Sequence, residues 1–231
     1  MVLEVFEKVY DHPLIDEIVI VDDASDEYKY NELIRGLSNI LVPVHYNDED
    51  GYYELGKFKL FRNNKNLGMS LNKREAISKA NNEWCILFDS DNILYPEYLD
   101  AFSNLGYTPL PNVIYCPEKA EPDYDFKRFS SVDRNNAKFF LGDMQFRVML
   151  NCCNYIVNRD EYLNVYKYDE AIKESDTIHF NTLWLEAGNF LYVVPNMKYF
   201  HRRHEGSGWL QGDHEYNLKK ASELQEKIKN L

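Results

Sequence analysis

Short apolar runs alternate with amphipathic segments in the first half of the chain. Runs at 15–21 and 84–88 end in polar residues, and helical spacing fills 27–37 and 69–80. Apolar runs bounded by turn residues predict strands, and helices between them predict crossover connections. The pattern therefore predicts an α/β fold with a largely parallel sheet. The five-residue run at 84–88 predicts a strand that is buried on both faces, in the middle of that sheet.

The second half of the chain has a less regular pattern. The run at 113–116 predicts a strand, and 213–231 predicts a charged amphipathic helix. Two polar stretches, 46–54 and 117–134, predict loops, the second of them long enough to bind substrate. No stretch has the composition of a linker, so we expect one domain over 1–231.

The charge of the chain limits its partners. Its 26 lysines and arginines face 38 acidic residues, giving a net charge of −12. Nucleic acids and anionic lipid surfaces bind basic surfaces, so neither is expected as a partner.

Targeting signals and the cysteines bear on location. No stretch approaches 18 consecutive apolar residues, and the N-terminus resembles no signal peptide. The four cysteines are Cys85, Cys116, Cys152 and Cys153, which form no CxxC pair. Reduced thiols in a cytoplasmic protein are the simplest interpretation, and no integral membrane segment is predicted.

The clearest candidate for chemistry follows the run at 84–88. Asp89 and Asp91 come directly after this predicted strand. Ligands of α/β sheets collect at the carboxyl ends of strands, and paired carboxylates suit Mg²⁺ or Mn²⁺ beside a phosphorylated substrate. The alternative is an Asx-type turn formed by Asp89, Ser90 and Asn92.

Five short motifs in order along the chain resemble the signatures of family 2 glycosyltransferases with the GT-A fold. They lie at 21–26, 66–70, 87–92, 168–176 and 199–207. Each is weak alone, but their order is specific, and the resemblance covers about residues 1–210.

The resemblance implies a GT-A, Rossmann-like and mostly parallel sheet flanked by helices. It implies a nucleotide-binding half at 1–92, an irregular acceptor half at 93–212 and a C-terminal helix at 213–231. The implied activity is inverting transfer of a sugar from a nucleotide-sugar donor, most commonly a UDP-sugar. The implied acceptor is a hydroxyl of a glycan or another molecule.

The resemblance implies that Asp22 and Asp23 bind the base or ribose of the nucleotide. The alternative is a local turn, or a helix N-cap supplied by Ser25 or Asp26.

Other residues are implied to surround the donor. Gly68 precedes a helix N-terminus, a position that suits phosphate, and Asn66 accompanies it, although Asn66 can equally be a simple turn residue. Lys73 stands where the family usually has arginine near the diphosphate, and its alternative is a helix-surface lysine. Ser90 and Arg202 complete this nucleotide-sugar-binding set.

The metal ligands implied by the resemblance are Asp89 and Asp91, holding Mn²⁺ or Mg²⁺ against the diphosphate. Asp91 is the closer ligand and Asp89 lies nearer the ribose. His201 is the third candidate and His204 the alternative.

Asp176 is the candidate general base, because inverting transfer needs a carboxylate beside the acceptor hydroxyl. The family has Glu-Asp where this chain has Ser175-Asp176, so Glu174 is a second candidate. The alternative is that Ser175 and Asp176 cap the following helix.

One departure from the family concerns its first strand, which carries a nucleotide-contacting turn. Residues 1–14 contain no such strand, so either it lies upstream or the base pocket is altered. Two other functions stay open. One is a truncated or inactive module that binds nucleotide or glycan. The other is a phosphatase using Asp89 in its hydrophobic-DxD motif, although such motifs normally lie near the N-terminus.

Overall fold

A computed structural model of the chain describes residues 4–5, 8–40, 45–47, 51–172, 174–203 and 213–231. The strands are β1 (Ile18–Asp22), β2 (His45–Asn47), β3 (Tyr52–Leu55), β4 (Phe58–Arg62), β5 (Trp84–Leu87), β6 (Ile93–Leu94), β7 (Val113–Glu121), β8 (Tyr124–Asp125), β9 (Ser131–Val132), β10 (Tyr155–Asn158) and β11 (Phe190–Phe200). The helices are α1 (Glu27–Ile40), α2 (Met69–Lys79), α3 (Pro96–Ser103), α4 (Ala137–Phe140), α5 (Met144–Asn151), α6 (Arg159–Val165), α7 (Asp176–Glu186) and α8 (His214–Lys229), with a 3-10 turn at Lys127–Phe129.

The N-terminal strands form a four-stranded sheet in the order β1-β4-β3-β2. β1 and β4 run parallel, with Asp22 opposite Arg62, and the remaining pairs are antiparallel. α1 covers one face of this sheet. Tyr30 and Leu37 of the helix join Phe58 and Leu60 of β4 in a small buried cluster.

The larger sheet has seven strands, with the order β5-β10-β7-β11-β6 and with β8 and β9 attached to β7 and β11. β7 and β11 form its long parallel pair. α7 is the most deeply buried helix, because every residue from Asp176 to Leu185 is buried. α8 packs on α7 and contributes Ala221, Leu224 and Ile228 to the main core.

Side chains, rather than a shared strand ladder, connect the two sheets. Within the described residues, β1 pairs only with β4 and β5 only with β10. Glu17, just before β1, accepts hydrogen bonds from the backbone N–H and side-chain amide of Asn81, at 2.7 and 2.9 Å. At the other end of β1, the Asn72 amide of α2 donates to the carbonyl of Val21 at 3.0 Å.

The first strand of the resembled family is therefore not found among the described residues. The expectation of a strand at 84–88 buried on both faces is also wrong. In β5, Cys85 and Leu87 are buried while Trp84 and Ile86 are half-buried, and the strand lies at an edge of the described sheet.

The α/β class is confirmed, but the sheets are mixed rather than mostly parallel, since β1–β4 and β7–β11 are the only parallel pairs among the described strands. The stretch 46–54 was expected to be a loop, but it contains paired residues of the β2–β3 hairpin. The rings of Tyr46 and Tyr53 contact each other across this hairpin. The stretch 117–134 is also not one long loop. β7 continues to Glu121, and β8 and β9 follow.

Among the described residues, no helix is both long enough and apolar enough to cross a bilayer.

Candidate active site

The candidate site lies where the carboxyl ends of β1 and β5 approach the first turns of α2. Adjacent residues of α2 reach both strands: Asn72 bonds to Val21 of β1, and Lys73 reaches Asp89 just beyond β5. This helix therefore gathers polar groups from both sheets into one region.

Lys73 is the centre of the site. Its ammonium lies 3.0 Å from Asp176 Oδ2, 3.6 Å from Asp89 Oδ1 and 3.2 Å from Thr177 Oγ1. Asp176 is 6% exposed, so it depends on this lysine rather than on solvent for a charge partner. The interpretation of Lys73 as a helix-surface residue is thus wrong, because the side chain joins the candidate base to the first aspartate of the DxD motif.

The pKa values reflect this pairing. Burial alone would lower the pKa of Lys73, but attraction to Asp176 and Asp89 outweighs it and raises the pKa well above the ordinary value. Burial raises the pKa of Asp89, with Lys73 opposing that shift and Asp91 adding to it. Lys73 therefore stays a cation at neutral pH.

Asp176 opens α7, and its neighbours are held by other contacts. Ser175 stands at the N-cap position, but its hydroxyl donates to the carbonyl of Asn217 at 3.2 Å and makes no capping bond. Glu174 Oε2 is buried without a hydrogen-bond partner. The capping interpretation of Ser175 is therefore wrong, and Asp176 is the carboxylate paired with the site lysine.

Asp23 organises the loop before α2. Its carboxylate accepts hydrogen bonds from the backbone N–H groups of Leu67 and Gly68 and from the amide of Asn63, at 2.8, 2.9 and 2.8 Å. Asn66 adds a bond from its amide to the Asp23 carbonyl at 3.2 Å. These bonds fix the loop that leads into α2 and Lys73.

Gly68 is required by its backbone conformation. Its φ is +83°, which residues with a Cβ rarely adopt, and open space surrounds the position that a Cβ would occupy. Its N–H is already bonded to Asp23. The torsion angle, rather than close packing within the chain, explains this glycine.

Replacing Asp23 by Ala should destabilise the protein by about 2–4 kcal/mol, because three donors lose a charged acceptor. Urea unfolding followed by circular dichroism measures the change. The matched control is Asp26→Ala. Asp26 caps α1 through the N–H of Lys29 at 2.9 Å, and losing that cap should cost about 1 kcal/mol. Equal losses in the two variants would contradict the assigned role of Asp23.

Asp22 has mainly local partners. Its Oδ2 accepts from the N–H of Ser25 at 3.1 Å and lies 3.4 Å from Arg62 Nε. Asp26 supplies the N-cap of α1, so the turn and capping alternative is confirmed for this stretch. A role for Asp22 and Asp23 toward a nucleotide stays a prediction.

The end of β11 lies beside the DxD turn. Asn92, which is buried, accepts a hydrogen bond from the N–H of Arg202 at 3.0 Å, while its own N–H donates to the Asp89 carbonyl at 3.3 Å. His201 Nδ1 is buried and has no hydrogen-bond partner. Burial lowers the pKa of His201, with Asp123 opposing the shift, so the ring is neutral at pH 7.

Arg202 Nη2 pairs with Glu4 at 2.8 Å, at the surface. Ser90 is exposed at the tip of the DxD turn. His204 lies outside the described residues, so its role as the alternative third ligand stays a prediction.

The donor set fits a hard divalent cation in chemical type. Asp89 and Asp91 supply carboxylate oxygens. Nδ1 of His201 is a buried nitrogen without a hydrogen-bond partner, so it is available as a ligand. Within the described residues, no three His, Cys, Asp or Glu side chains lie close enough together to hold a metal by themselves. Mg²⁺ characteristically takes one or two carboxylates and completes its shell with substrate phosphates and water.

Several contact residues were not predicted from the sequence. Asn154 bonds to Asp89, Asn92 joins the DxD turn to β11, and Thr177 accepts from Lys73. Only Asn92 carried a signal, as a possible turn residue. Asn154 comes from a distant segment whose sequence shows no motif, and Thr177 directly follows Asp176 but lies outside its motif.

The chain matches a known family over most of its length. The family model described as Glycosyl transferase family 2 matches residues 1–166. No curated protein matches the sequence.

Solved structures show the same fold at low identity. TarS 1–349 from S. aureus has a TM-score of 0.57 at 17% identity, covering 86% of this chain and 55% of that one. GalNAc-T7 with UDP, GalNAc and Mn²⁺ has a TM-score of 0.56 at 16% identity, covering 98% and 45%. The mannosyltransferase PcManGT from Pyrobaculum calidifontis, with GDP-Man and Mn²⁺, has a TM-score of 0.57 at 16% identity, covering 95% and 56%. The chain thus spans about half the length of these structures.

Proposed function

This chain belongs to glycosyl transferase family 2, and on that premise we propose that it is a metal-dependent, inverting glycosyltransferase. The donor is a nucleotide-sugar, with UDP as the nucleotide, and the acceptor is a hydroxyl of a glycan or glycosylated molecule. In support, the similar structures include one of TarS with UDP-GlcNAc and the GalNAc-T7 and PcManGT complexes with Mn²⁺.

One observation carries the proposal. Asp176 and Asp89 both contact the ammonium of Lys73, at 3.0 and 3.6 Å. The candidate base on α7 and the candidate metal carboxylate after β5 are therefore neighbours in space. Inverting transfer needs both groups close together. One carboxylate acts as the base for the acceptor hydroxyl, and the others would hold the metal that binds the diphosphate of the donor.

In the proposed reaction, the acceptor oxygen forms a bond to the anomeric carbon while the bond from that carbon to the diphosphate oxygen breaks. The Asp176 carboxylate takes the proton of the acceptor hydroxyl. Asp89, Asp91 and His201 would hold Mn²⁺ or Mg²⁺. When bound, the metal neutralises charge that builds on the leaving nucleoside diphosphate.

Lys73 has two tasks in this scheme. It compensates the buried charge of Asp176 before the acceptor binds, and it lies close enough to Asp89 to remain near the departing diphosphate. Asp22, Asp23, Asn66, Gly68, Ser90 and Arg202 are proposed to surround the nucleotide-sugar. Glu174 is the reserve candidate for the base.

We further propose one catalytic domain over 1–231, acting in the cytoplasm. The four cysteines are free thiols, three of them buried, as suits a reducing compartment.

Binding of UDP should depend on Mn²⁺ and on Asp91. We expect Asp91→Ala to weaken UDP·Mn²⁺ binding by at least about 100-fold, the upper range for residues that only orient a metal ligand. Isothermal titration calorimetry with and without EDTA measures this. Asp160→Ala is the control, since that side chain is 82% exposed and pairs with Arg159 at the surface.

A donor screen by mass spectrometry then tests turnover. Transfer or slow hydrolysis of one nucleotide-sugar supports the enzyme. UDP·Mn²⁺ binding with no turnover of any donor would favour a nucleotide-binding module. Covalent phosphate on Asp89 would favour a phosphatase and contradict the proposal.

A further inference from the structure

Asn154 holds the first aspartate of the DxD motif through two hydrogen bonds. Its Oδ1 accepts from the backbone N–H of Asp89 at 2.8 Å, and its Nδ2 donates to Asp89 Oδ2 at 3.2 Å. The backbone N–H can only donate, so the carbonyl oxygen of the amide must face it. That orientation leaves the amide N–H₂ directed at the carboxylate.

The backbone at Asn154 is held in a conformation that few residues adopt. Its φ is +66°, and the residue is 1% exposed. Its carbonyl accepts a hydrogen bond from the buried hydroxyl of Tyr98 at 2.8 Å. A left-handed, non-glycine residue is strained, and such strain persists only where the surroundings enforce it.

The position of Asn154 follows from the end of a strand ladder. Tyr155 of β10 pairs with Leu87, the last residue of β5. Beyond that pair, the Cys153 thiol contacts the Leu87 carbonyl at 3.3 Å, and Asn154 takes the N–H of Asp89. Side chains thus continue the pairing past the strand and reach the carboxylate.

Asn is the residue type that makes both bonds. Asp would offer the acceptor but no donor to the Asp89 carboxylate, and Gly would permit the backbone angle but offer neither group. With Lys73 near Oδ1 and Asn154 on Oδ2, both oxygens of Asp89 have an oriented cationic or amide partner.

From this geometry we infer that Asn154 is a positioning residue, which fixes the carboxylate of Asp89 in the orientation that binds the metal–diphosphate group. The inference rests on the proposed function. Residues that orient a metal ligand typically change metal affinity or activity by about 10–100-fold when replaced.

The test is UDP·Mn²⁺ binding by calorimetry in Asn154→Gly, which keeps the left-handed angle and removes the amide. We expect binding to weaken by about 10–100-fold. The matched control is Asn196→Gly. Asn196 has the same φ of +66° but is exposed, within the irregularity of β11 between Val194 and Lys198. Its replacement should leave binding unchanged.

Action through Asp89 is tested by a double-mutant cycle. In an Asp89→Asn background, with UDP binding followed by NMR at high ligand concentration, Asn154→Gly should change affinity by less than about twofold. A general structural role would add its full effect in that background, which would overturn the inference.

A second variant is used if the first one does not fold. Should Asn154→Gly fail to give native circular dichroism, Asn154→Asp replaces it, because it keeps the shape and the acceptor but exchanges the donor for a carboxylate oxygen that repels Asp89. We expect UDP·Mn²⁺ affinity to fall by at least about 10-fold. Wild-type affinity in either folded variant would overturn the inference. Absence of UDP·Mn²⁺ binding in the unmodified protein would instead refute the proposed function.

Discussion

Asp176→Asn should lower sugar transfer by about 10²–10⁴-fold, the range for loss of a general base. The amide has nearly the shape of the carboxylate but cannot accept the proton of the acceptor hydroxyl. UDP·Mn²⁺ binding should change little, because Asp176 faces Lys73 rather than forming part of the DxD turn. Initial rates with the donor found by screening, together with calorimetry, separate the two effects.

Two comparisons make the Asp176 result specific. Asp160→Asn, an exposed carboxylate on α6, should keep the full rate. Glu174→Gln should also keep most of it if Asp176 is the base. If the rate of sugar transfer falls in Glu174→Gln but not in Asp176→Asn, Glu174 rather than Asp176 is the general base.

Lys73→Met should destabilise the protein by about 3–5 kcal/mol, since breaking a buried ion pair leaves an uncompensated charge. The uncompensated group is Asp176, which is 6% exposed, while Asp89 is 35% exposed and better solvated. Urea unfolding at neutral pH measures the loss. The control is Lys79→Met, an exposed lysine in the last turn of the same helix.

A paired variant identifies the cause of that loss. Lys73→Met combined with Asp176→Asn removes both charges, so part of the stability should return relative to Lys73→Met alone. No recovery would mean that Lys73 stabilises α2 through packing of its aliphatic stem. Lys73→Arg is a further comparison for the proposed reaction, because a guanidinium keeps the charge but changes the geometry around two carboxylates.

The local sequence pattern was sufficient to predict those strands and helices that depend on residues close together in the sequence. The runs before Asp22 and Asp89 are strands, and the helical spacing at 27–37 and 69–80 corresponds to α1 and α2, because apolar runs and helical spacing are short-range signals. The hairpin of β2 and β3 was missed because its strands are short and the acidic residues 48–50 between them make the whole stretch resemble a polar loop. It is stabilised by cross-strand contacts such as Tyr46–Tyr53, whose ring centroids lie 4.9 Å apart.

In the candidate site, too, short motifs could be predicted from the sequence, whereas contacts between distant residues could not. The DxD motif and Asp176 are visible as short motifs, and the family resemblance orders them. The contact of Lys73 with Asp176 joins α2 to α7, and Asn154 reaches Asp89 from the residue just before β10. No periodicity links residues so far apart, so these partners required the tertiary structure.

The division of the strands into two sheets has a consequence for cooperativity. Among the residues that the structure describes, the four-stranded sheet rests on a cluster of four buried residues, whereas the other sheet belongs to a core of forty. Regions with few buried contacts open locally at lower free energy than the rest of a protein. β1 and the loop held by Asp23 belong to the weaker unit, while Asp89 and Asp176 belong to the stronger one. A donor that contacts both would order the weaker unit as it binds, so part of its binding free energy would be spent on folding.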